Sequence, residues 1–397
     1  MQRLVGEVQH YDWGSDQAIP EILGEQPNGQ PWAEYWLGAH PKAPSVLADG
    51  VTLDQWLADH PEELGRASRD AFGDHLPFLL KILSASHALS IQAHPSREQA
   101  ERGFAAENEA GVGPGDPNRI FRDDWPKPEM IVALTDFDAL CGFRDPSSSL
   151  VLLSGLGKLD GLDEVLAPLG QDDGLAKVVA TVLSGDEKVV TVVEGVVAAS
   201  RTYLEEGTDE AVRGLARTAV ELSEDHPGDT SILVALLMNR VRLAPGQQIH
   251  LGAGTMHAYL GGTGVEIMAN SDNVLRGGLT SKYVDVDALL DHVIMTPEPC
   301  VGEYAVQVSP GVGLYRTEFP EFRLWALQGH DDTLLLPATD LGRILLVTEG
   351  QLVAHCDDED CELNRGQSAW LSAGEEVTVT GQGRGFLAGA GVDADHS

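Results

Sequence analysis

Hydrophobic and polar residues alternate strictly in residues 89–95, LSIQAHP. On a β-strand the apolar side chains of this stretch point to one face, while Ser90, Gln92 and His94 point to the other. A hydroxyl, an amide and an imidazole in a row suit the lumen of a barrel that holds an ion and an oxygen-rich ligand. The alternative interpretation of this stretch is an ordinary edge strand whose polar face is solvated.

Of two further predicted strands, one contains a charged residue and the other directly follows charged residues. Residues 78–83 are apolar except for Lys81, whose ammonium group either enters a polar site or reaches the surface. Residues 131–134 follow the sequence WPKPEM, in which prolines on both sides of Lys127 fix an extended backbone. The extended backbone before the strand gives Lys127 and Glu129 a defined orientation.

The apolar spacing becomes helical between about residues 146 and 239. Helices are predicted there over residues 175–183, 189–204, 210–222 and 231–238, each rich in Ala, Val and Leu. A short helix is also expected at residues 53–58, and a helix followed by a loop at residues 96–119. The central block therefore indicates a helical bundle inserted between β-regions.

β-Structure is predicted to resume at residues 241–243, 248–251 and 256–259, with glycine turns between the strands. His257 lies beside one tight turn, a position from which a small barrel places a ligand at its mouth. The later Gly262-Thr263-Gly264 lacks the rest of a nucleotide fingerprint and is interpreted as a hairpin turn.

An internal repeat links two distant β-units. The pattern G-Q-x-x-x-L-x-A-G occurs at residues 246–254 and again at residues 366–374, an offset of 120. Two copies of one β-unit predict two similar barrels. When the alignment of the two copies is extended toward the C-terminus, Val377 falls at the position of His257. We therefore expect the second barrel to lack a metal ligand at this position.

Composition and charge limit the kinds of binding partner that this protein can have. The 397 residues suffice for two or three domains, and 26 basic against 62 acidic residues leave a net charge of −36. Such a surface repels nucleic acid and anionic membranes, so neither is expected as a partner. Without an N-terminal apolar segment or a run of about 18 apolar residues, we expect a cytoplasmic protein. The scattered cysteines predict reduced thiols, and a monomer is expected.

Six ordered segments together resemble the type I mannose-6-phosphate isomerases, a zinc-dependent family on the cupin fold. They are YDWGS at 11–15, EYWLGAHPKAPS at 34–45, LSIQAHP at 89–95, KPE at 127–129, HAY at 257–259 and SDNVLRGGLTSK at 271–282. The resemblance implies a mainly β fold of two cupin-type jelly rolls with an inserted α-helical domain. The expected division is a catalytic cupin at 1–146 and 241–297, a helical insertion at 147–240, and a C-terminal cupin-like jelly roll without metal at 298–397.

The resemblance also implies one Zn²⁺ per chain, with Gln92, His94, Glu129 and His257 as ligands. Two imidazoles, one carboxylate and one neutral amide oxygen leave the first shell of a divalent ion at net +1. Such a metal can polarise a carbonyl and stabilise the enediolate formed when a proton moves between C2 and C1 of a sugar. The implied reaction interconverts mannose 6-phosphate and fructose 6-phosphate and supplies mannose 6-phosphate for GDP-mannose and carbohydrate metabolism.

The base that moves the proton stays open at this point. Its candidates are Lys81, Lys127, Glu266, Asp272 and Arg276, with Arg276 disfavoured as a simple base because a guanidinium holds its proton so strongly. The expected catalytic groups are Arg276, Lys127 and Lys81.

Substrate-binding groups are also expected in this site. Ser90 and Lys282 are expected to bind the phosphate, and Trp13, Glu266 and Asp272 are also expected to bind the substrate. Bacterial members of the family often carry a histidine before Lys-Pro-Glu. Here that position is Pro126, so no role of that histidine applies.

Two alternatives from other functional classes remain. Two histidines and one glutamate also form the facial triad of a non-haem iron oxygenase, although Gln92 and the cationic loop argue against it. A non-catalytic cupin that only binds a phosphosugar would show binding without turnover.

Overall fold

The computed structural model describes residues 1–329 and 333–392. Two 11-stranded antiparallel sheets dominate it, and most of the helices lie in one block between strands of the first sheet. The mainly β architecture expected from the sequence, two cupin-type jelly rolls with a helical insertion, is therefore present. No helix within the described residues is long and apolar enough to cross a membrane.

The strands of the described residues are numbered in chain order. They are β1 (Gln2–Val5), β2 (Glu7–Gln9), β3 (Glu34–Gly38), β4 (Val46–Leu47), β5 (Phe78–Ala85), β6 (Ile91–Ala93), β7 (Glu129–Ala133), β8 (Phe137–Phe143), β9 (Met238–Leu243), β10 (Gln247–Leu251), β11 (His257–Ala269), β12 (Leu275–Gly278), β13 (Glu303–Tyr304), β14 (Val306–Ser309), β15 (Val312–Tyr315), β16 (Arg323–Gln328), β17 (Leu334–Leu335), β18 (Arg343–Cys356), β19 (Glu359–Asn364), β20 (Ser368–Leu371), β21 (Thr378–Thr380) and β22 (Gly383–Gly389).

The α-helices of the described residues are numbered in the same way. They are α1 (Ala18–Leu23), α2 (Leu53–Asp59), α3 (Arg66–Phe72), α4 (Arg97–Glu109), α5 (Pro146–Ser154), α6 (Leu162–Leu166), α7 (Gly174–Leu183), α8 (Glu187–Glu206), α9 (Glu210–Asp225), α10 (Ile232–Leu236) and α11 (Val286–His292). Short 3₁₀ helices occupy Pro61–Leu64 and Ala167–Gly170.

The predicted helices are present, with small shifts at their ends. The helix expected over residues 231–238 ends at Leu236, because Met238 already begins β9. Helix α4 starts where its sequence predicts, since Ser96 and Gln99 form a reciprocal capping box that satisfies two backbone N–H groups. The apolar faces of α7, α8 and α9 share one core with β6, β8 and β12, so the helical block packs directly on the first barrel.

The predicted hairpin at residues 262–264 is wrong. Instead β11 runs unbroken for 13 residues. Its first part pairs with β6 and β8, and from Gly262 onward it pairs with β5 and β7. A register irregularity at residues 259–261 and a φ of +120° at Gly262 bend the strand from one layer of the barrel into the other. Glycines mark a bend here rather than a chain reversal.

The first sheet brings the segments of interest together. One layer has the order β13-β10-β7-β11-β5-β3-β2, while β12, β6, β8 and β9 join through the other half of β11. Strand β5 is buried along its entire length, as expected for a central strand, and this includes Lys81. Strand β6 is shorter than predicted, but Ile91 and Ala93 are buried on one face as the alternation requires.

The second sheet forms the C-terminal barrel, in the order β14-β15-β16-β22-β18-β20-β1-β4 with β17, β19 and β21 joined through β18. The predicted repeat is confirmed, since its two copies form β10 and β20, each preceded by a glycine with positive φ. Val377 is fully buried among apolar side chains of this barrel, including Trp325 and Leu387. All four cysteines are free thiols, as expected.

Glu63 joins the N-terminal region to the C-terminal barrel. Its Oε2 accepts hydrogen bonds from Trp56 Nε1 at 2.9 Å, Trp370 Nε1 at 2.8 Å and Ser372 Oγ at 2.9 Å. Trp370 is fully buried, so its indole N–H has no access to bulk water.

We predict that Glu63→Ala lowers the free energy of unfolding by about 2 to 4 kcal/mol, because it leaves the buried Trp370 and two partly buried donors without an acceptor. Urea unfolding followed by tryptophan fluorescence measures this change. The neighbouring Glu62→Ala is the matched control, since the Glu62 side chain is 69% exposed. Equal midpoints for the two variants would contradict the assigned role.

Candidate metal centre and substrate cavity

Three strands of the first barrel each position one candidate ligand residue. His94 directly follows β6, Glu129 is the first residue of β7, and His257 is the first residue of β11. Gln92 on β6 lies opposite His257 on one side and opposite Arg276 of β12 on the other. The barrel therefore brings together four candidate ligand residues that are up to 165 positions apart in the chain, from Gln92 to His257.

His94, Glu129 and His257 form a cluster whose possible ligand atoms all lie within 4.8 Å of one another. His94 Nε2 is 3.2 Å from Glu129 Oε1, and His257 Nε2 is 3.4 Å from Glu129 Oε2. All three residues are at least 97% buried. Such a cluster of nitrogen and oxygen donors suits a divalent transition metal.

The backbone orients both imidazoles toward the centre of this cluster. His94 Nδ1 donates to the carbonyl of Asn273 at 2.8 Å, and His257 Nδ1 donates to the carbonyl of Thr255 at 2.9 Å. Because a carbonyl can only accept, each Nδ1 carries the proton and each Nε2 keeps its lone pair. Both Nε2 atoms are buried without a hydrogen-bond partner, which fits a metal ion between them.

The electrostatics keep the cluster in its ligating form. Burial, together with the nearby Lys127 ammonium, lowers the pKa of His94 to about 4. Burial by itself would raise the pKa of Glu129, but the Lys127 cation, 2.7 Å from Glu129 Oε1, and the His94 ring hold this pKa well below its ordinary value. A neutral imidazole and an ionised carboxylate are the states that bind a metal.

A cavity of about 820 Å³ opens above the cluster. Ten of the twelve predicted site residues line it, and the other two, His94 and His257, lie with Glu129 in the buried cluster. The lining residues are Trp13, Lys81, Ser90, Gln92, Lys127, Glu129, Glu266, Asp272, Arg276 and Lys282.

Lys81 enters the polar site, which settles the alternative that the sequence left open. Its Nζ lies 3.0 Å from Glu266 Oε2 and 3.4 Å from Glu34 Oε1. Trp36 Nε1 holds the other oxygen of Glu34 at 2.7 Å. Burial disfavours the charge on Lys81, but Glu266 and Glu34 outweigh this effect and raise the pKa of Lys81 above its ordinary value.

The pKa of Glu266 shifts in the direction that favours proton exchange. Burial raises it, the Lys81 ammonium opposes this change, and the carboxylates of Glu129 and Glu34 add to it. The pKa of Asp272 shifts in the opposite direction. Lys42 Nζ at 2.7 Å and His40 Nε2 at 3.6 Å outweigh burial and lower the pKa of Asp272. Asp272 is therefore the weaker base of these two carboxylates.

Arg276 on β12 and Lys282, six residues later, lie on the cavity wall. Neither cation forms an ion pair with a carboxylate in the described ranges. Burial lowers the pKa of both groups, and the neighbouring Arg122 lowers both further. Like charges held this close without a counter-ion favour an anionic ligand.

Some residues that position the site were not predicted from the sequence. Glu34 and Lys42 lie in one of the recognised segments, but nothing local indicated their partners. Asn273 is fully buried, and its side chain bonds Asp123, the Trp125 carbonyl and the Arg122 amide, while its own carbonyl orients His94. Its position inside the polar loop at 271–282 was the available signal.

Fold and site together define a metal-binding cupin with a cation-lined polar cavity. A family model described as the catalytic domain of type I phosphomannose isomerase matches residues 1–146. Mannose-6-phosphate isomerase from Salmonella typhimurium is 37% identical over 400 residues, which cover 97% of this chain and 98% of that protein. The Escherichia coli protein of the same name is 37% identical with the same coverage.

Solved structures agree with these relatives. A crystal structure of a point mutant of phosphomannose isomerase from Salmonella typhimurium matches with a TM-score of 0.87 and 31% identity, over 98% of this chain and 99% of that one. A zinc-bound mannose 6-phosphate isomerase matches with a TM-score of 0.86 and 32% identity, over the same shares. The chain belongs to the type I phosphomannose isomerase family. The expected family and the expected enzyme class are thus confirmed.

The lowered pKa of His94 predicts acid sensitivity of the metal-free protein. The unfolded chain protonates this imidazole near its ordinary pKa of 6.5, and the folded chain near 4, so folding stability falls as the pH drops through this window. Between pH 7.5 and pH 5 the loss should be about 2 kcal/mol.

Urea unfolding of chelator-treated protein at several pH values measures this loss. His94→Gln, which cannot titrate, should show a shallower dependence on pH than the unmodified protein. Parallel curves for the two proteins would contradict the assignment. His250→Ala, at an exposed histidine on β10, serves as the control.

Proposed function

We propose that this protein interconverts mannose 6-phosphate and fructose 6-phosphate with one Zn²⁺ held by Gln92, His94, Glu129 and His257. The observation that supports this most is the convergence of three ligand residues at a polar cavity whose wall carries cations. Gln92, which lies opposite His257 and lines the cavity, supplies the neutral fourth ligand. When bound, the metal acts as a Lewis acid toward the sugar oxygens.

The cations determine how the sugar phosphate is oriented. We assign the phosphate to Lys282 and Ser90, and place Arg276 nearer the reacting carbons because it lies opposite Gln92 on the neighbouring strand. The net charge of −36 opposes the approach of a dianion. At a screening length of about 8 Å, however, distant carboxylates are largely damped and the local cations prevail.

Glu266 is the best candidate for the proton-transferring base. Burial raises its pKa above that of an ordinary carboxylate, and its side chain lines the cavity. In the proposed reaction, Glu266 takes the proton from C2 of mannose 6-phosphate and returns it to C1 through an enediol, while the proton of the C2 hydroxyl passes to O1.

The expected catalytic lysines and arginine then act mainly as cations. Lys81 fixes Glu266 at 3.0 Å, Lys127 holds Glu129 ionised, and Arg276 stabilises negative charge on the substrate. Asp272, paired with Lys42, binds substrate hydroxyls. Trp13, stacked on Tyr11 with ring centroids 5.7 Å apart, forms a wall of the cavity.

Several expectations from the sequence remain proposals. They are the division of the catalytic cupin into residues 1–146 and 241–297, the helical insertion at 147–240, and a C-terminal jelly roll at 298–397 without metal. The monomeric state, the cytoplasmic location and the supply of mannose 6-phosphate for GDP-mannose belong to the same group.

A coupled assay of fructose 6-phosphate formation tests the function against its alternatives. We expect turnover that is lost on chelation and restored by zinc. Unchanged turnover without oxygen would exclude the iron oxygenase, and any turnover would exclude a protein that only binds a phosphosugar. Binding of mannose 6-phosphate without turnover in the zinc-loaded protein would overturn the proposal.

Replacing His257 or Glu129 by Ala should remove zinc and activity together, since each variant takes one donor from a buried cluster. Zinc per chain, measured by plasma emission spectrometry, should fall from about one to well below one. His250→Ala, a histidine exposed on β10, serves as the control. Stoichiometric zinc in both site variants would show that the metal is bound elsewhere.

Lys282→Ala should lower kcat/KM for mannose 6-phosphate by roughly 10- to 150-fold, the effect of one lost charge-assisted hydrogen bond. Zinc content should stay unchanged. The exposed Lys188→Ala in the helical block is the matched control. An effect below about threefold would place the phosphate elsewhere, and an equal loss with unphosphorylated mannose would assign Lys282 to chemistry instead.

A further inference from the structure

The turn between Arg276 and Lys282 has an unusual backbone. Strand β12 shifts register between Arg276 and Gly278, which leaves Gly277 as an extra residue opposite β6. Gly278 follows with a φ of +128°, and Leu279 has a φ of +50°. A branched, non-glycine residue in the left-handed region is strained unless its surroundings hold it there.

The helical block supplies the group that holds this turn. Ser231, just before α10, accepts a hydrogen bond from the Leu279 amide at Oγ, over 2.7 Å. The hydroxyl in turn donates to Asp229 Oδ1 at 2.6 Å. Ser231 is 1% exposed and Leu279 is 2% exposed, so water cannot replace this bond.

Two further contacts restrict the turn to one arrangement. A Cβ on Gly278 would lie 2.0 Å from Ser231 Cβ, so the backbones approach as closely as glycine permits. The Leu279 side chain belongs to the same apolar core as Ile232 and the helices of the block. The turn that carries the two unpaired cations is thus attached to the helical block rather than to its own barrel alone.

We propose that Ser231 is a positioning residue for phosphate recognition: its hydroxyl holds the strained 278–279 turn and so fixes Lys282 toward the substrate phosphate. This role gives the helical block a part in the reaction, although none of its side chains needs to touch the reacting carbons. The inference rests on the proposed assignment of the phosphate to Lys282.

Ser231→Ala tests the proposal by its effects on KM and kcat. We expect KM for mannose 6-phosphate, and the inhibition constant of inorganic phosphate, to rise roughly tenfold, with kcat and zinc content nearly unchanged. Ser200→Ala is the matched control, because Ser200 is also fully buried in the helical block but bonds only its own helix, at Val196. A general loss of stability would affect both variants alike.

A double-mutant cycle separates this proposal from the proposed function. In a Lys282→Ala background, Ser231→Ala should add little to KM, because both changes act through the same cation. Independent, multiplicative effects would overturn the positioning role. If Lys282→Ala raises KM and Ser231→Ala does not, the positioning role fails and the phosphate assignment stands. If neither variant changes KM, the phosphate assignment itself fails.

Asp229→Ala provides a second test should Ser231→Ala fold poorly. It removes the acceptor that orients the hydroxyl but leaves Ser231 in place. We expect a smaller rise in KM and in the phosphate inhibition constant, in the same direction. Unchanged values for both constants would overturn the positioning role.

Discussion

The course of β11 is the constraint on which the catalytic half of the molecule depends. This single strand carries His257 in one layer of the barrel and Glu266 in the other, with the bend at Gly262 between them. A Cβ at Gly262 would lie 2.6 Å from the carbonyl oxygen of Asp136, so only glycine fits at the bend. The distance between the metal cluster and the carboxylate that pairs with Lys81 is therefore fixed by backbone geometry.

Charge pairing explains how a lumen of this kind tolerates burial. Two ammonium groups, those of Lys81 and Lys127, face the carboxylates of Glu34, Glu266 and Glu129 in a space where an unpaired charge would be very unfavourable. The same surroundings set the proton affinities, because burial and the carboxylates of Glu129 and Glu34 raise the pKa of Glu266, whereas the Lys127 ammonium and the His94 ring lower the pKa of Glu129. Glu266 and Glu129 thus acquire opposite properties within one cavity.

Local patterns predicted the parts of this structure that local physics decides. The two faces of β6 followed from strand alternation, and the helices from apolar spacing. The Gly-Thr-Gly bend was misinterpreted because glycines permit a bend and a reversal equally well. The partners of Lys81 lie 47 and 185 residues away, so no local pattern could identify them. The set of ligands came from the family resemblance, since spacing alone does not show which strands become neighbours.

The two barrels share a β-unit but use their interiors differently. The first keeps a polar lumen, whereas the described lining of the second is apolar, with Val377 in place of a histidine. The two barrels are also joined by a link of a single residue. Only Gly6 separates β1, in the second sheet, from β2, in the first, and its N–H donates to Tyr35 Oη at 2.7 Å. Because a Cβ there would lie 2.2 Å from the Trp36 carbonyl oxygen, this junction has little freedom, and the apolar barrel fixes the start of β2, which pairs with β3 of the first sheet.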